Sequence, residues 1–265
     1  MSDAKQIKSY EQWHDDDMTF HRRSKLFFSQ CNPNRTIKTS QLMTLCSDSA
    51  IEDYFFRGLT WDFLAAHGVA ILTSRASYKV HQVPKANEEV LIHTWEEKPQ
   101  GLQLRRRYEI VNEKNEPLIS GLSTWLVADV NTHRIIKPSL FTLRPEPTVF
   151  TEPDCPDCGK ITFDVPLLPL EDRRVRLSDI DSNGHVNNTR YGDYIDDCLP
   201  PELRLVPIKT IKINYSKEAM LDQVLSIFGN FGKNDVAAVV AGESRSFKIS
   251  AKVNGETCFE AVIGY

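Results

Sequence analysis

Between Leu177 and Asn188 the chain reads Leu-Ser-Asp-Ile-Asp-Ser-Asn-Gly-His-Val-Asn-Asn, which sets a carboxylate (Asp181), an amide (Asn183) and an imidazole (His185) at alternate positions. Histidine is the side chain whose ordinary pKa lies near neutrality, so His185 can pass protons. The Asn183 amide can donate to a developing oxyanion, and losing such a donor costs about 3–4 kcal/mol of transition-state stabilisation. Gly184 permits a positive φ or a close backbone approach. A helix beginning just after the turn adds unpaired N–H groups that face the same place. Spacing alone leaves a plainer alternative open. Asp and Asn favour turns because their side chains bond nearby backbone, and Asn188 would serve simply as an N-cap. Glu218, in Tyr-Ser-Lys-Glu-Ala at the end of a strand-like segment, reads equally as a solvated surface acid. Nothing in the linear sequence joins it to His185.

Other chemistry-bearing residues are weaker. Cys155-Pro-Asp-Cys158 has metal-like spacing, but zinc takes four ligands and no second pair or nearby His follows. Cys198 reads as a buried, inert thiol on a helix. His14, His21, His67, His81, His93 and His133 are isolated in sequence. Glycine-rich phosphate loops are absent, so no nucleotide cofactor is expected, nor any other cofactor.

The elements that must position these residues follow from periodicity. From Ser40 to Gly68, Leu42, Leu45, Ile51, Phe55, Leu59 and Phe63 recur mostly at spacings of three and four. This predicts one long helix or two abutting ones. Strand-like segments follow at Ala76–Val83, Glu89–Trp95, Gln103–Val111 and Leu118–Val130. Leu143 to Gly159 holds Pro145, Pro147, Pro153 and Pro156 and breaks the pattern. The order then recurs: a strand near Arg173–Leu177, a helix near Asn188–Cys198, and strands at Ile208–Tyr215, Val224–Phe231, Val236–Val240, Phe247–Val253 and Thr257–Ile263. Asn254-Gly255 marks a two-residue hairpin.

A β-helix-β-β-β-β unit used twice indicates two copies of one α+β domain, each a helix wrapped by a curved antiparallel sheet. Phe28 to Lys38 aligns with Leu177 to Asn187, and Asn87-Glu-Glu-Val-Leu-Ile with Leu221-Asp-Gln-Val-Leu-Ser. The copies differ where chemistry would sit. Asn32, Asn34 and Thr36 stand where the second copy has Asp181, Asn183 and His185, and Pro84 falls opposite Glu218. One copy keeps the acid–base groups and the other keeps only the shape.

Composition excludes little but agrees. The 265 residues carry a net charge of −4, with 41% hydrophobic and 26% charged residues, as in ordinary globular proteins. No global basicity argues for nucleic acid. No apolar run approaches the roughly 18 residues needed to span a bilayer. Met1 to Asp17 is polar and lacks the apolar stretch of a secretory signal, so a cytoplasmic location is expected. Six scattered cysteines fit reduced thiols.

Asp181-Ser-Asn-Gly-His-Val-Asn-Asn-Thr-Arg-Tyr191 resembles the signature of the acyl-ACP thioesterases, the fatty acyl–acyl carrier protein hydrolases of plants and many bacteria. Tyr215-Ser-Lys-Glu218 resembles their second signature, and Gly58, Trp61, Thr94-Trp95, Arg105 to Ile110 and Ser123-Thr-Trp125 resemble positions of their first domain. The resemblance implies a tandem double hotdog fold, with residues 1–145 as an N-terminal domain holding the acyl-chain pocket, 146–165 as a linker and 166–265 as the catalytic domain. It implies thioester hydrolysis by an activated water, with Asp181, Asn183, His185 and Glu218 as the catalytic groups. Plant members often carry a cysteine directly after the matching Glu; here that residue is Ala219, which removes a covalent acyl-cysteine at this position. The implied partner is acyl carrier protein. The basic clusters Arg22-Arg23, Arg105-Arg106-Arg107 and Arg173-Arg174-Val-Arg176 would either meet that acidic partner or form a solvated strand face. The alternatives are an acyl-CoA thioesterase with the same site, a hydratase or dehydratase of acyl thioesters, and a non-catalytic acyl-binding protein. A monomer or a homodimer is compatible, because two fused copies already supply one domain pairing.

Overall fold

Apolar residues at helical spacing drive Thr39–Phe56 (α1) into the core through Leu42, Met43, Leu45, Cys46, Ala50 and Tyr54. The helix stops at Gly58, whose φ of +79° only glycine adopts freely. Thr60 then caps a second, short helix, Trp61–Ala66 (α2), by accepting the Phe63 N–H. Two abutting helices, rather than one, thus span the predicted segment. The computed structural model describes residues 11–265. The polar segment Met1 to Asp17 lies mostly outside them.

Among the described residues, twelve strands form one antiparallel sheet. In chain order they are Gln12–His14 (β1), Phe20–Lys25 (β2), Val69–Val80 (β3), Glu89–Gln100 (β4), Gln103–Asn112 (β5), Pro117–Asp129 (β6), Ile135–Ile136 (β7), Leu168–Arg174 (β8), Thr210–Tyr215 (β9), Val224–Gly229 (β10), Ser246–Val253 (β11) and Glu256–Gly264 (β12). Their order across the sheet is β1-β2-β4-β5-β6-β3-β9-β12-β11-β10-β8, with β7 on β6. The seam between copies is β3 against β9, from Arg75 opposite Asn214 to Lys79 opposite Thr210. Two further helices are Arg190–Asp197 (α3) and Lys233–Val240 (α4). α1 and α3 meet across the seam: Thr39 N–H and hydroxyl donate to Asp196 (3.1 and 2.7 Å), and the Thr44 hydroxyl lies 3.0 Å from that of Thr189.

The repeat is visible in backbone geometry. One-turn 3-10 helices at Phe28–Gln30 and Leu177–Asp179 are followed by matching bridges, Cys31 to Ile37 and Ile180 to Val186. Thr36 pairs with Lys85 as His185 pairs with Met220. Ile37 N–H donates to Pro84 O at 3.0 Å as Val186 N–H donates to Ala219 O at 2.8 Å. These pairs correct the alignment by one residue: Pro84 is opposite Ala219, and Glu218 is opposite Val83. The same slip applies later, since Asn87 (φ 70°) matches Asp222 (φ 65°) and not Leu221.

One other expectation changes. Val236–Val240 is the end of helix α4, not a strand. β1 and β2 carry no strong alternation and escaped the periodicity. The Pro-rich stretch is no loose tether. It runs over one face of the sheet, where Val149 O accepts from Lys98 N–H (2.7 Å), Pro156 O from the Ser77 hydroxyl and Cys158 O from Arg75 (3.1 Å), and Asp164 pairs with Lys248.

Candidate active site

The turn before α3 is built from its own side chains. Asp181 Oδ1 accepts the Asn183 N–H at 2.8 Å, Asp181 O accepts the Gly184 N–H at 3.0 Å, and Gly184 takes φ +84°. Asn187 ties the turn to the helix: its amide N–H approaches Asp181 Oδ2 at 3.4 Å while its Oδ1 accepts the Thr189 N–H at 2.9 Å. The residue before the helix is Thr189, which makes no side-chain cap bond, so Asn188 is not the N-cap; Asn187 turns the chain into the helix instead. The bridge from His185 to Met220 then brings the segment after β9 alongside the turn.

That arrangement places the imidazole between two carboxylates. His185 Nε2 is 3.7 Å from Glu218 Oε1, and Nδ1 is 4.0 Å from Asp181 Oδ1. Nδ1 also lies 3.4 Å from Val186 O, an acceptor for an Nδ1–H and hence compatible with an unprotonated Nε2 facing Glu218. The His185 and Asp181 side chains are about one-fifth exposed, and Glu218 is 62% exposed. The structure thus brings together Asp181, His185 and Glu218, with Asn183 in the same turn, its side-chain amide making no hydrogen bond to a described residue.

These groups stand at one side of a cavity of about 530 Å³. Its other walls come from the first copy: Ile51, Tyr54 and Phe55 of α1, Leu64 of α2, Ile71 of β3 and Trp125 of β6. Polar groups thus come from one copy and apolar walls from the other, the form of a site for an apolar chain with a reactive polar end. Tyr191 and Tyr215, quoted above only as ends of the two signatures and given no role, also line it, and so does Cys258 of β12, which carries no linear signal. The matching turn of the first copy, with Asn32 and Arg35, faces a wider groove of about 1290 Å³. Its walls carry Arg173, Arg190, Asp193, Asp196 and Arg204, and neither His nor Glu faces it. Size alone would choose that groove; chemistry chooses the smaller cavity.

The arginine run has a different role from both expectations. Arg105, Arg106 and Arg107 are buried. Arg106 pairs with Asp53 at 2.6 Å and Arg105 with Glu97 at 3.3 Å, so neither a docking patch nor a solvated face exists there. Arg173 and Arg174 are paired within the chain to Asp197 and Asp222, and Arg23 to Glu11. Three histidines are also less isolated than they look: His14 bonds Asp53 at 2.7 Å, and His21 Nδ1 meets His93 Nδ1 at 2.6 Å. Cys155 and Cys158 flank the Ser77 hydroxyl, and burial pushes the Cys158 thiol up to about 12. Burial also pushes Cys198 up to about 12, as befits an inert thiol.

Two helix-on-sheet units fused edge to edge, with one polar turn at their junction, define a double hotdog protein. The chain belongs to the acyl-ACP thioesterase family: residues 17–138 match the acyl-ACP thioesterase N-terminal domain and residues 170–263 the C-terminal domain. It is 27% identical over 171 residues to a chloroplastic oleoyl-acyl carrier protein thioesterase of Coriandrum sativum, covering 58% of this chain and 45% of that one. The chain spans about half the length of the curated relatives it matches. In fold it is similar to a putative oleoyl thioesterase from Lactobacillus plantarum (TM-score 0.80, 22% identity, 93% and 95% of the two chains). It is also similar to an acyl-ACP thioesterase from Bacteroides thetaiotaomicron (TM-score 0.75, 20% identity, 93% and 97%). No helix among the described residues is long and apolar enough to cross a membrane.

Proposed function

We propose that this protein hydrolyses fatty acyl thioesters, with acyl carrier protein as the carrier. The observation that carries the reading is His185 set between Glu218 and Asp181 at the head of an apolar cavity. In this mechanism the acyl chain lies among Ile51, Leu64 and Trp125, and the thioester carbonyl lies at the turn. Glu218 and His185 Nε2 are 3.7 Å apart, a separation at which one water can be held by both. That water loses a proton to this pair as its oxygen attacks the carbonyl carbon. The Asn183 amide donates to the oxyanion. Collapse breaks the carbon–sulfur bond, and the thiolate leaves and takes up the proton. Asp181 holds the turn and the imidazole.

Support for the carrier is the family and the names of the relatives; an acyl-CoA carrier is the alternative. Purified protein is assayed for free-thiol release from acyl-ACP and acyl-CoA of one chain length. His185→Ala and Glu218→Gln each lower kcat by about a hundredfold or more, with unchanged thermal unfolding. Wild-type turnover in both variants would refute the mechanism, and a strong preference for CoA would remove the carrier-protein assignment.

A further inference from the structure

The wider groove is the pseudo-symmetric mate of the catalytic cavity. Thr36 pairs with Lys85 as His185 pairs with Met220, and Gln41 N–H donates to Lys38 O as Arg190 N–H donates to Asn187 O, so Leu42 of α1 lines the groove where Tyr191 of α3 lines the cavity. Its apolar lining is Ile37, Leu42, Val80, Ile208 and Ile211, among others. Along it stand five cations, Arg35, Lys38, Arg173, Arg190 and Arg204, and four carboxylates, Asp179, Asp193, Asp196 and Asp197. All four carboxylates are engaged within the chain: Asp197 by Arg173, Asp193 and Asp179 by Arg190, and Asp196 by Thr39. Lys38 donates to Ser29 O at 3.2 Å. Arg204 donates to a carbonyl alone, Leu199 O at 3.2 Å, and the Arg35 guanidinium has no ion pair or hydrogen bond to a described residue. These two stand close in the fold, because the Asn34 amide, beside Arg35, donates to Leu205 O, beside Arg204, at 3.3 Å. Arg35 is also strained. It takes φ +66° where the other copy has Gly184 at φ +84°, a left-handed backbone that is disfavoured for arginine. No interaction within the described chain offsets that strain.

We propose that this groove is a second, non-catalytic binding site for a fatty carboxylate, with the alkyl chain along Leu42, Val80 and Ile208 and the head group on Arg35 and Arg204. The physiological ligand, the acid released by the reaction, rests on the thioesterase reading above; the chemistry of the site does not. A concave apolar wall with a few convergent polar groups is the usual form of a small-ligand site. Guanidiniums present paired N–H donors that match a carboxylate, and a neutral lipid would gain nothing from them. A strained residue kept without an internal partner is accounted for by a ligand that supplies one. With neither His nor Glu facing the groove, a bound acid is held there and undergoes no chemistry.

The test is calorimetric titration of the full-length protein with decanoate, below its micelle concentration. Wild type shows a binding phase that depends on the two arginines, besides any phase from the catalytic cavity. Arg35→Gly gives the turn the residue of the other copy and relieves its strain, so it unfolds at or above the wild-type temperature while this phase weakens about tenfold. Arg204→Ala weakens the same phase by a similar factor. Thiol release keeps its kcat/KM within twofold in both variants, since neither residue lines the catalytic cavity. Decanol, with the same chain and no charge, binds the groove at least tenfold more weakly than decanoate. Decanoate binding that is identical in wild type and both variants, or decanol that matches decanoate in the arginine-dependent phase, overturns the site. A protein that keeps this phase and hydrolyses no acyl thioester sinks the thioesterase reading alone, and turnover without the phase sinks the groove alone.

Discussion

His185 owes its position to backbone on both sides of it. The Asp181 N–H donates to His185 O at 3.0 Å from within the turn, and the bridge to Met220 closes from the segment between β9 and β10. Ala219 is fully buried with its carbonyl on Val186 N–H, so the position after Glu218 points into the core and has no part in attack. Asn183 is the residue with its amide free, and Asn183→Ala lowers kcat by about 10²–10³ with little change in KM, measured by steady-state thiol release. The same change at Asn34 leaves turnover within twofold of wild type; equal losses at both positions would mean that the amide only shapes the turn. Asp181, Asn183 and His185 were legible because one tight turn carries them all. Glu218 was legible only through family likeness, since a tertiary bridge brings it to His185. The arginine run misled because solvent exposure is not written in a strand whose two faces are both covered.

At the scale of elements, the two copies differ in how their helices fill. Beneath α3 the space is taken by Tyr191, which packs on Phe259 at 4.7 Å and on Tyr194 at 5.7 Å. α1 is 18 residues long against 8 for α3 and is followed closely by α2, and the apolar walls of the cavity come from that side. The helices approach at Gly192, where a Cβ would lie 2.6 Å from Ser40 N and 2.7 Å from Ser40 Cα. Backbone cannot yield as a side chain does, so Gly192→Ala destabilises by about 3 kcal/mol or more, at the upper end for overpacking. Urea midpoints read this directly, and a loss under 1 kcal/mol would show that α1 and α3 slide freely. Helix and strand order was largely legible, because buried faces impose their periods. α4 was misread on its run of valines. Its better signals were Asp235 in the first turn, Val236 and Val239 buried at a spacing of three, and Gly242 at φ +90° just past its end.

For the whole molecule, the seam is where charge and fold are coupled. Asp196 from the second copy bonds the first turn of α1, and burial, with Asp193 and Asp197 nearby, raises its carboxyl to about 6 from an ordinary 3.8. The folded state therefore favours the protonated acid. That contribution is full below about pH 4 and is lost as pH rises through about 6, a change of roughly 3 kcal/mol. Asp196→Asn keeps an oxygen for the Thr39 donors and removes the titration. It raises the urea midpoint at pH 7.5 and does little at pH 4; an equal shift at both values would exclude this linkage. The seam was not legible in sequence. Pairing between β3 and β9 joins segments more than a hundred residues apart, and only the repeat hinted that the copies share one sheet.

The unbroken sheet also has a consequence for descent. The apolar walls from α1, α2, β3 and β6 precede the Pro-rich stretch in the chain, and the acid–base groups follow it. A single crossover within the Pro-rich stretch between two relatives would exchange those walls and keep the acid–base groups. Such an exchange requires that β3 and β9 still pair.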